Sequence, residues 1–469
     1  MLKIKDVVAA TGGSIVSGDG MGEITGVSTD SRTIMPGELF FALKGSRFDG
    51  HSFVIEVAKK GAIGAVVNEW SVVSGQWLGF PSPGFNLISV NDALQALGKL
   101  ANFWRQIHPV PLIAVGGSCG KTTTKEMIAS ILQVSRVVLK TEGNLNNLIG
   151  LPLTLFGLNN VHRAVVVELG ISKPGEMKRL VDICRPDVAV LTNIGEAHLS
   201  SLGGIEGVAS AKGELFQGLT DQGVAVVNLD DPWIVKIAEG IKIRKVTYSL
   251  RKRADVFMKG YSQEGLDRLR ATFVVGGEIS TITFKGFGVH NLQNAAASIS
   301  ACLPLGVDRG DMKEGLSRFQ PLDGRMKTTG LGGVTLIDDT YNANPTSTEA
   351  SLKTLTSISG RRIAVLGDML ELGEVSLGAH RRIGGLCHSL GIDILFLIGD
   401  FKSDVAQGAI EAGMGEECIH LCNSRDEVTT LLAGTLKEGD VVLVKGSRAM
   451  GMEEIVEKLV INKGLVRKE

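Results

Sequence analysis

The chain has 469 residues, 44% of them apolar and 21% charged, with a formal net charge of −1; at roughly 100–200 residues per domain this length implies about three domains. So even a charge balance argues against nonspecific nucleic-acid binding and against a polybasic membrane anchor, and the ordinary apolar content argues against a disordered chain. Sixty glycines beside 12 prolines and 5% aromatics fit tight turns between many short elements.

Residues 1–88 mix β-rich runs at 23–27, 39–43 and 65–67 with glycine-rich turns, and a helical pattern covers 51–61. This predicts a small α/β domain. A helix over 91–106 then leads through His108-Pro109-Val110-Pro111 into an apolar strand, Leu112-Ile113-Ala114-Val115. Apolar runs at 134–139, 164–167, 188–191 and 224–227 alternate with helical patterns, as in a parallel sheet buried on both faces. After Tyr248, period-two segments at 271–275 and 280–284 predict antiparallel strands, and a helix follows over 289–302. This second unit covers 89–322. A third, 323–469, opens at the turn-rich junction Gln320-Pro321-Leu322-Asp323-Gly324. There, strand-like runs at 334–337, 363–366, 394–398 and 441–444 alternate with helical patterns at 346–356, 377–390, 404–412 and 453–459, which is a Rossmann-like, doubly wound order. The predicted class is α/β in three domains, without internal repeats.

Cysteines at 119, 184, 302, 387, 418 and 422 form no repeated Cys-x-x-Cys, so neither a disulfide framework nor a zinc ribbon is predicted. Cys418, His420 and Cys422 lie close together, but alternation within a short strand explains their spacing as well as a metal would. No apolar run approaches the ~18 residues of a membrane span, and the first residues lack the apolar core of a signal peptide. A cytoplasmic protein with no membrane insertion is expected.

The strand ending at Val115 runs into Gly116-Gly117-Ser118-Cys119-Gly120-Lys121-Thr122-Thr123 and a helix start. Such a loop aims backbone N–H groups and a positive helix end at phosphates, while the lysine neutralises charge and the threonine hydroxyl can ligate Mg²⁺. A general P-loop would need its first glycine at Val115, so the match is to the shorter Gly-x-x-Gly-Lys-Thr form. Two further strand ends carry chemistry: Glu168 closes Val165-Val166-Val167, and Thr192-Asn193-Ile194-Gly195-Glu196-Ala197-His198 follows the next strand. Carboxyl ends of parallel strands face the ligand crevice, which brings Glu168 and His198 toward the phosphate loop. Oxygen-seeking Mg²⁺ favours Glu168 as the primary ligand, although a lone Glu or His at a strand end more often caps or is solvated.

In these segments and in others along nearly its whole length, the chain resembles the Mur ligase family, most closely the member that adds D-alanyl-D-alanine to a UDP-linked tripeptide. Val27-Ser28-Thr29-Asp30-Ser31-Arg32, with Pro36 to Leu43, Gly45, Asp49-Gly50-His51 and Phe53, looks like the family's UDP-sugar domain. The loop Gly117 to Thr122 matches the family's short ATP loop. Asn144 and Asn147 in Thr141-Glu142-Gly143-Asn144-Leu145-Asn146-Asn147, then Glu168-Leu169-Gly170 and Ala197-His198-Leu199, stand in family order. Lys212 falls where the family carries a carbamylated lysine. His290-Asn291-Leu292-Gln293-Asn294 is similar to an adenine-side motif, and Arg325 with Asp339 to a nucleotide-binding pair at the domain junction. Asp339-Thr340-Tyr341-Asn342-Ala343-Asn344-Pro345, Gly367-Asp368-Met369-Leu370-Glu371-Leu372-Gly373 and Lys445-Gly446-Ser447-Arg448 point to this particular member. Cys119 departs from the serine or asparagine usual in the loop.

The resemblance implies an N-terminal UDP-binding domain, a central ATPase domain and a C-terminal ligase domain. It also implies a monomer that uses ATP and Mg²⁺ on UDP-N-acetylmuramoyl-tripeptide and D-alanyl-D-alanine. A carboxylate is a poor electrophile, so ATP phosphorylates it first, and the dipeptide amine then displaces phosphate. Lys121 would hold the β and γ phosphates, Thr122 and Glu168 one Mg²⁺, and His198 with carbamylated Lys212 a second. The residues alone also allow a surface lysine on a small-residue helix at 212 with no such role. A regulatory P-loop ATPase and other amide ligases, such as the tripeptide-making family member or a folylpolyglutamate synthetase, are the alternatives.

Overall fold

Four sheets organise the described residues of the computed structural model, 2–69, 71 and 84–461. Residues 1, 70, 72–83 and 462–469, which belong to the expected first and third domains, lie outside them.

In the first unit, five strands lie in the spatial order Ser14–Ser17, Asn86–Val90, Gly64–Asn68, Glu38–Phe41, Gly26–Ser28. All pairs are parallel except the first. The period of two divides the side chains between two small cores. Leu39, Phe41, Val66 and Ile88 meet the helices Ile4–Thr11 and Ala93–Gln106, and Phe40, Ala65, Val67 and Leu87 meet Val54 and Val57. One expectation is corrected here. The run 23–27 is two strands in different sheets, Glu23–Ile24 and Gly26–Ser28, broken at Thr25, whose N–H is donated to the Gly37 carbonyl. The boundary at 88/89 falls inside the strand Asn86–Val90, and the helix after it serves both units: Ala93, Ala96, Leu97 and Leu100 pack into the first core, Ala101 into the next.

The central sheet has nine strands. Leu112–Gly116 lies in the middle of its parallel part, flanked by Ala164–Glu168 and Val188–Leu191. Ile113, Val115, Val166, Val190 and Val226 face the helices Lys121–Leu132 and Val289–Cys302, while Leu112, Ala114, Val165, Val167, Leu191 and Val227 face Glu176–Cys184 and Ile205–Gln217. Burial on both faces explains the unbroken apolar runs. The expected strand at 134–139 is shortened to Val138–Lys140, because the N–H groups of Val134 and Arg136 still bond back to the preceding helix. Beyond Arg244–Ser249, the strands Val256–Glu264, Arg268–Val275 and Glu278–Lys285 form antiparallel hairpins that extend the same sheet.

The third unit is a six-stranded sheet, parallel apart from Lys327–Leu331 at one edge. Its other edge is Ile419–Cys422, where His420 stacks on Phe396 and Cys422 is buried; among the described residues no group of three or more His, Cys, Asp or Glu is placed to hold a metal ion. The α/β class with three sheet-based units is as expected. No described helix is long and apolar enough to cross a membrane.

Candidate active site

The carboxyl ends of the central and third sheets face each other across a cavity of about 550 Å³, with Glu168 and Thr192 on one side and Asp339 and Lys445 on the other. This is where an open parallel sheet receives its ligand.

The phosphate loop forms the floor on the central side. Gly117 (φ 135°) and Gly120 (φ 79°) take conformations that favour glycine, and a Cβ would stand 2.0 Å from Thr192 Oγ1 at the first and 2.4 Å from Asn294 Oδ1 at the second. Asn193 pins the loop between them. Its carbonyl accepts from the Ser118 N–H, and its Oδ1 accepts from the Cys119 N–H at 2.9 Å. Those two donors are therefore committed to the protein, and the N–H groups left for an anion are those opening the helix Lys121–Leu132: Gly120, Lys121, Thr122 and Thr123. Ser118 braces the loop through its hydroxyl, exchanging hydrogen bonds with the backbone of Gly195.

Three cationic or metal-seeking groups surround this floor. Lys121 Nζ donates to the carbonyls of Gly117 and Ser118 at 3.1 and 3.2 Å, and Lys212 Nζ donates to the same Gly117 carbonyl at 3.1 Å. Lys212 is buried, and burial, reinforced by the charge of Lys121, depresses its amine to about 7. His198, in the left-handed region at φ 55°, places Nδ1 2.7 Å from Glu371 of the third unit. Burial lowers its pKa; the Glu371 carboxylate opposes the shift, and Lys212 and Lys121 assist it.

Glu168 is held at both carboxylate oxygens, accepting from Thr122 Oγ1 at 2.6 Å and from Asn146 Nδ2 at 2.8 Å. Thr141 Oγ1 accepts from its backbone N–H. On the opposite wall Asp339 is buried against Lys445 Nζ at 2.5 Å and Ser351 Oγ at 2.6 Å. Arg325 lies 3.8 Å over the ring of Tyr341. Asn344 caps the helix Pro345–Leu355 by accepting from the Ser347 N–H, and touches Cys119 Sγ at 3.5 Å across the domain boundary. Asn342 Oδ1 accepts from the Ala343 N–H.

The expected ATP and metal residues thus converge: Ser118 to Thr123, Glu168, His198, Lys212, Asn291, Asn294, Arg325 and Asp339 all line the cavity, with Gly117 beneath. Asn291 and Asn294 are buried and linked to each other, Nδ2 to Oδ1 at 3.3 Å, and Asn294 also accepts from Thr124. The expected substrate residues divide. Asn147, Tyr341, Asn342 and Asn344 line the cavity, whereas Asn144 and the whole N-terminal set of Ser28, Thr29, Asp30, Ser31, Arg32, Gly45, Asp49 and His51 do not.

Within that set, the hydrogen bonds of Arg32 hold the Asp30 carboxyl down at about 2. His51 is buried, with Nδ1 2.6 Å from Asp49 and Nε2 accepting from the Asn68 N–H, so its ring organises the turn. Asn146, Asn193, Glu371 and Lys445 stand at the site although the sequence assigns none of them a role of its own. Lys445 carried a usable signal, since it ends an apolar strand as Glu168 does. Asn146 lies in the run from which the resemblance picks out Asn144 and Asn147, yet it is Asn146 that reaches Glu168, while Asn144 does not line the cavity.

Comparison with known proteins gives a family for this architecture. Three family models match: the Mur ligase family catalytic domain over residues 23–105, the Mur ligase middle domain over 115–302 and the Mur ligase glutamate ligase domain over 324–448. The UDP-N-acetylmuramoyl-tripeptide–D-alanyl-D-alanine ligase of Bacillus subtilis is 37% identical over 444 residues, covering 93% of each chain. Among solved structures, MurF from Acinetobacter baumannii superposes with a TM-score of 0.89 at 32% identity, over 98% of this chain and 99% of that one. The MurF ligase from Thermotoga maritima in complex with ADP superposes with a TM-score of 0.82 at 30% identity, over 93% and 97%.

Proposed function

The chain belongs to the Mur ligase family, and on that premise we propose how its own residues perform the reaction. It is an ATP-dependent ligase that joins D-alanyl-D-alanine to UDP-N-acetylmuramoyl-tripeptide in peptidoglycan precursor synthesis. Its place of action is the cytoplasm, where the nucleotide-linked precursor and ATP are both at hand.

The chemistry requires two anions, a carboxylate and a triphosphate, to approach each other, so charge neutralisation is the main task. Lys121 and the four N–H groups of Gly120 to Thr123 receive the phosphates. Asn291 and Asn294 line the adenine side, and Arg325 and Asp339 approach the nucleotide from the third unit. Tyr341, Asn342, Asn344 and Asn147 face the peptide and dipeptide, while the Asp30–Arg32 and Asp49–His51 turns of the first unit take the UDP end. What supports this division is the joint lining of one cavity by the phosphate loop, Glu168 and the third unit's Arg325 and Tyr341.

The donor set also fits a hard cation. Thr122 and Glu168 offer oxygens 2.6 Å apart, and with no cluster of three acidic or imidazole groups among the described residues, Mg²⁺ would take its remaining ligands from phosphate and water, as it prefers. When bound, the ion supplies neutralisation of the developing phosphoryl charge. An amine screen with UDP-N-acetylmuramoyl-tripeptide tests the assignment: amide formation and phosphate release should both require D-alanyl-D-alanine. Phosphate release that ignores both substrates would instead favour a regulatory ATPase.

Lys212 is proposed to act as its carbamate. Supporting this, an amine depressed to about 7 is substantially neutral under working conditions and so free to add CO₂, and the product would turn a repulsive Lys121–Lys212 contact into an attractive one. Lys212→Ala should lose activity that acetate partly restores, measured as ADP release. Full activity without additive would assign Lys212 a bracing role at the Gly117 carbonyl only.

A further inference from the structure

Among the described residues only four other than glycine have positive φ: Arg185, His198, Met326 and Glu371. Such conformations are costly and persist where surrounding structure enforces them, most often at functional sites. Two of these four, His198 at φ 55° and Glu371 at φ 64°, come from different domains and are joined side chain to side chain, Nδ1 to Oε2, at 2.7 Å. The backbones interlock as well. Ser200 Oγ donates to the Glu371 carbonyl at 3.2 Å, and Gly373 (φ 61°) sits so close that a Cβ there would stand 2.8 Å from that of Ser200. A second ion pair, Arg382 to Glu196, fastens the start of the same loop.

We infer that Glu371 is a positioning residue for the ligase reaction: reaching in from the third domain, it fixes the tautomer and direction of the His198 ring, so that the ring is set only when that domain is docked. A carboxylate accepts but cannot donate, so its partner Nδ1 carries the hydrogen and Nε2 keeps its lone pair. His198 lines the cavity beside Lys121 and Lys212, and Nε2 is the ring nitrogen left for the nucleotide side. Docking of the third domain and preparation of the phosphate site thereby become one event. For histidines that hold a metal, a carboxylate that orients the ring in this way is worth roughly 10- to 100-fold in activity or metal affinity, which sets the scale expected here.

This inference rests on the placement of His198 at the ATP site, and the experiment separates the two. In full-length protein carrying ¹⁵N-histidine, with the His198 signals assigned by their loss in His198→Ala, the ring should be the Nδ1–H tautomer in the parent and in Glu371→Gln, whose amide oxygen still accepts. In Glu371→Ala that preference should disappear. In kinetics, Glu371→Ala should lower kcat roughly 10- to 100-fold with the KM for UDP-N-acetylmuramoyl-tripeptide unchanged. Glu371→Gln should keep most of the parent rate, and Glu371→Ala should add nothing in a His198→Ala background. Ring signals that are the same in the parent and in Glu371→Ala overturn the positioning role alone. Additive effects of the two substitutions, or equal losses in the Gln and Ala variants, point to a purely structural contact and also overturn it. Full activity in His198→Ala removes His198 from the reaction, and the positioning role with it.

Discussion

Lys121→Ala should cut ADP formation by about 10²–10³-fold, the usual consequence of removing one preorganised donor from a developing phosphoryl charge. Its amine is held over the loop by the carbonyls of Gly117 and Ser118 and lies beside the helix N–H groups that would receive the anion. Lys212 shares the Gly117 carbonyl, but its position is fixed by burial, and losing Lys121 would remove the neighbouring charge that helps keep the Lys212 amine neutral. The UDP-substrate affinity should be unchanged, because the N-terminal turns lie outside this cavity. Single-turnover ADP release with a parallel UDP-substrate titration checks both halves, and normal turnover would remove Lys121 from the phosphate site.

The second large effect concerns stability. Asp339 and Lys445 are register partners on adjacent parallel strands, and their side chains are buried together. Lys445→Met leaves the carboxylate with only the Ser351 hydroxyl, and stripping one partner from a buried pair costs about 3–5 kcal/mol. The third domain should therefore unfold at markedly lower urea. Adding Asp339→Leu should recover much of the loss, because no uncompensated charge remains. A single variant as stable as the parent would mean that water reaches the carboxylate. Nucleotide binding should also weaken in the single variant, since Asp339 lines the cavity.

The sequence displayed the doubly wound strands well, because strands buried on both faces must be apolar throughout and so stand out against their helices. Val256–Glu264 was missed for the converse reason: it is an outer hairpin strand with mostly exposed residues, and its polar content removed the signal. The first domain was blurred at its end because the helix Ala93–Gln106 carries apolar residues for two cores at once, which no single amphipathic stripe announces. At the site, the glycine spacing and the charges that end apolar strands pointed to the loop at 117–123 and to Glu168, which the structure brings to one cavity. What could not be read was commitment. That Asn193 would occupy the Ser118 and Cys119 N–H groups, that Asn146 rather than Asn144 would reach Glu168, and that Glu371 would cross a domain boundary to His198 all depend on partners distant in the chain.

The central claim, that this cavity activates a carboxylate by phosphorylating it, is tested most directly by oxygen transfer. With the terminal carboxylate of UDP-N-acetylmuramoyl-tripeptide labelled with ¹⁸O, and with ATP and D-alanyl-D-alanine present, mass spectrometry of the released phosphate should find one labelled oxygen per phosphate. That oxygen is the one lost from the carboxylate when the amine displaces the acyl phosphate. Unlabelled phosphate accompanying amide formation would mean that ATP is cleaved without touching the carboxylate, and would contradict the account.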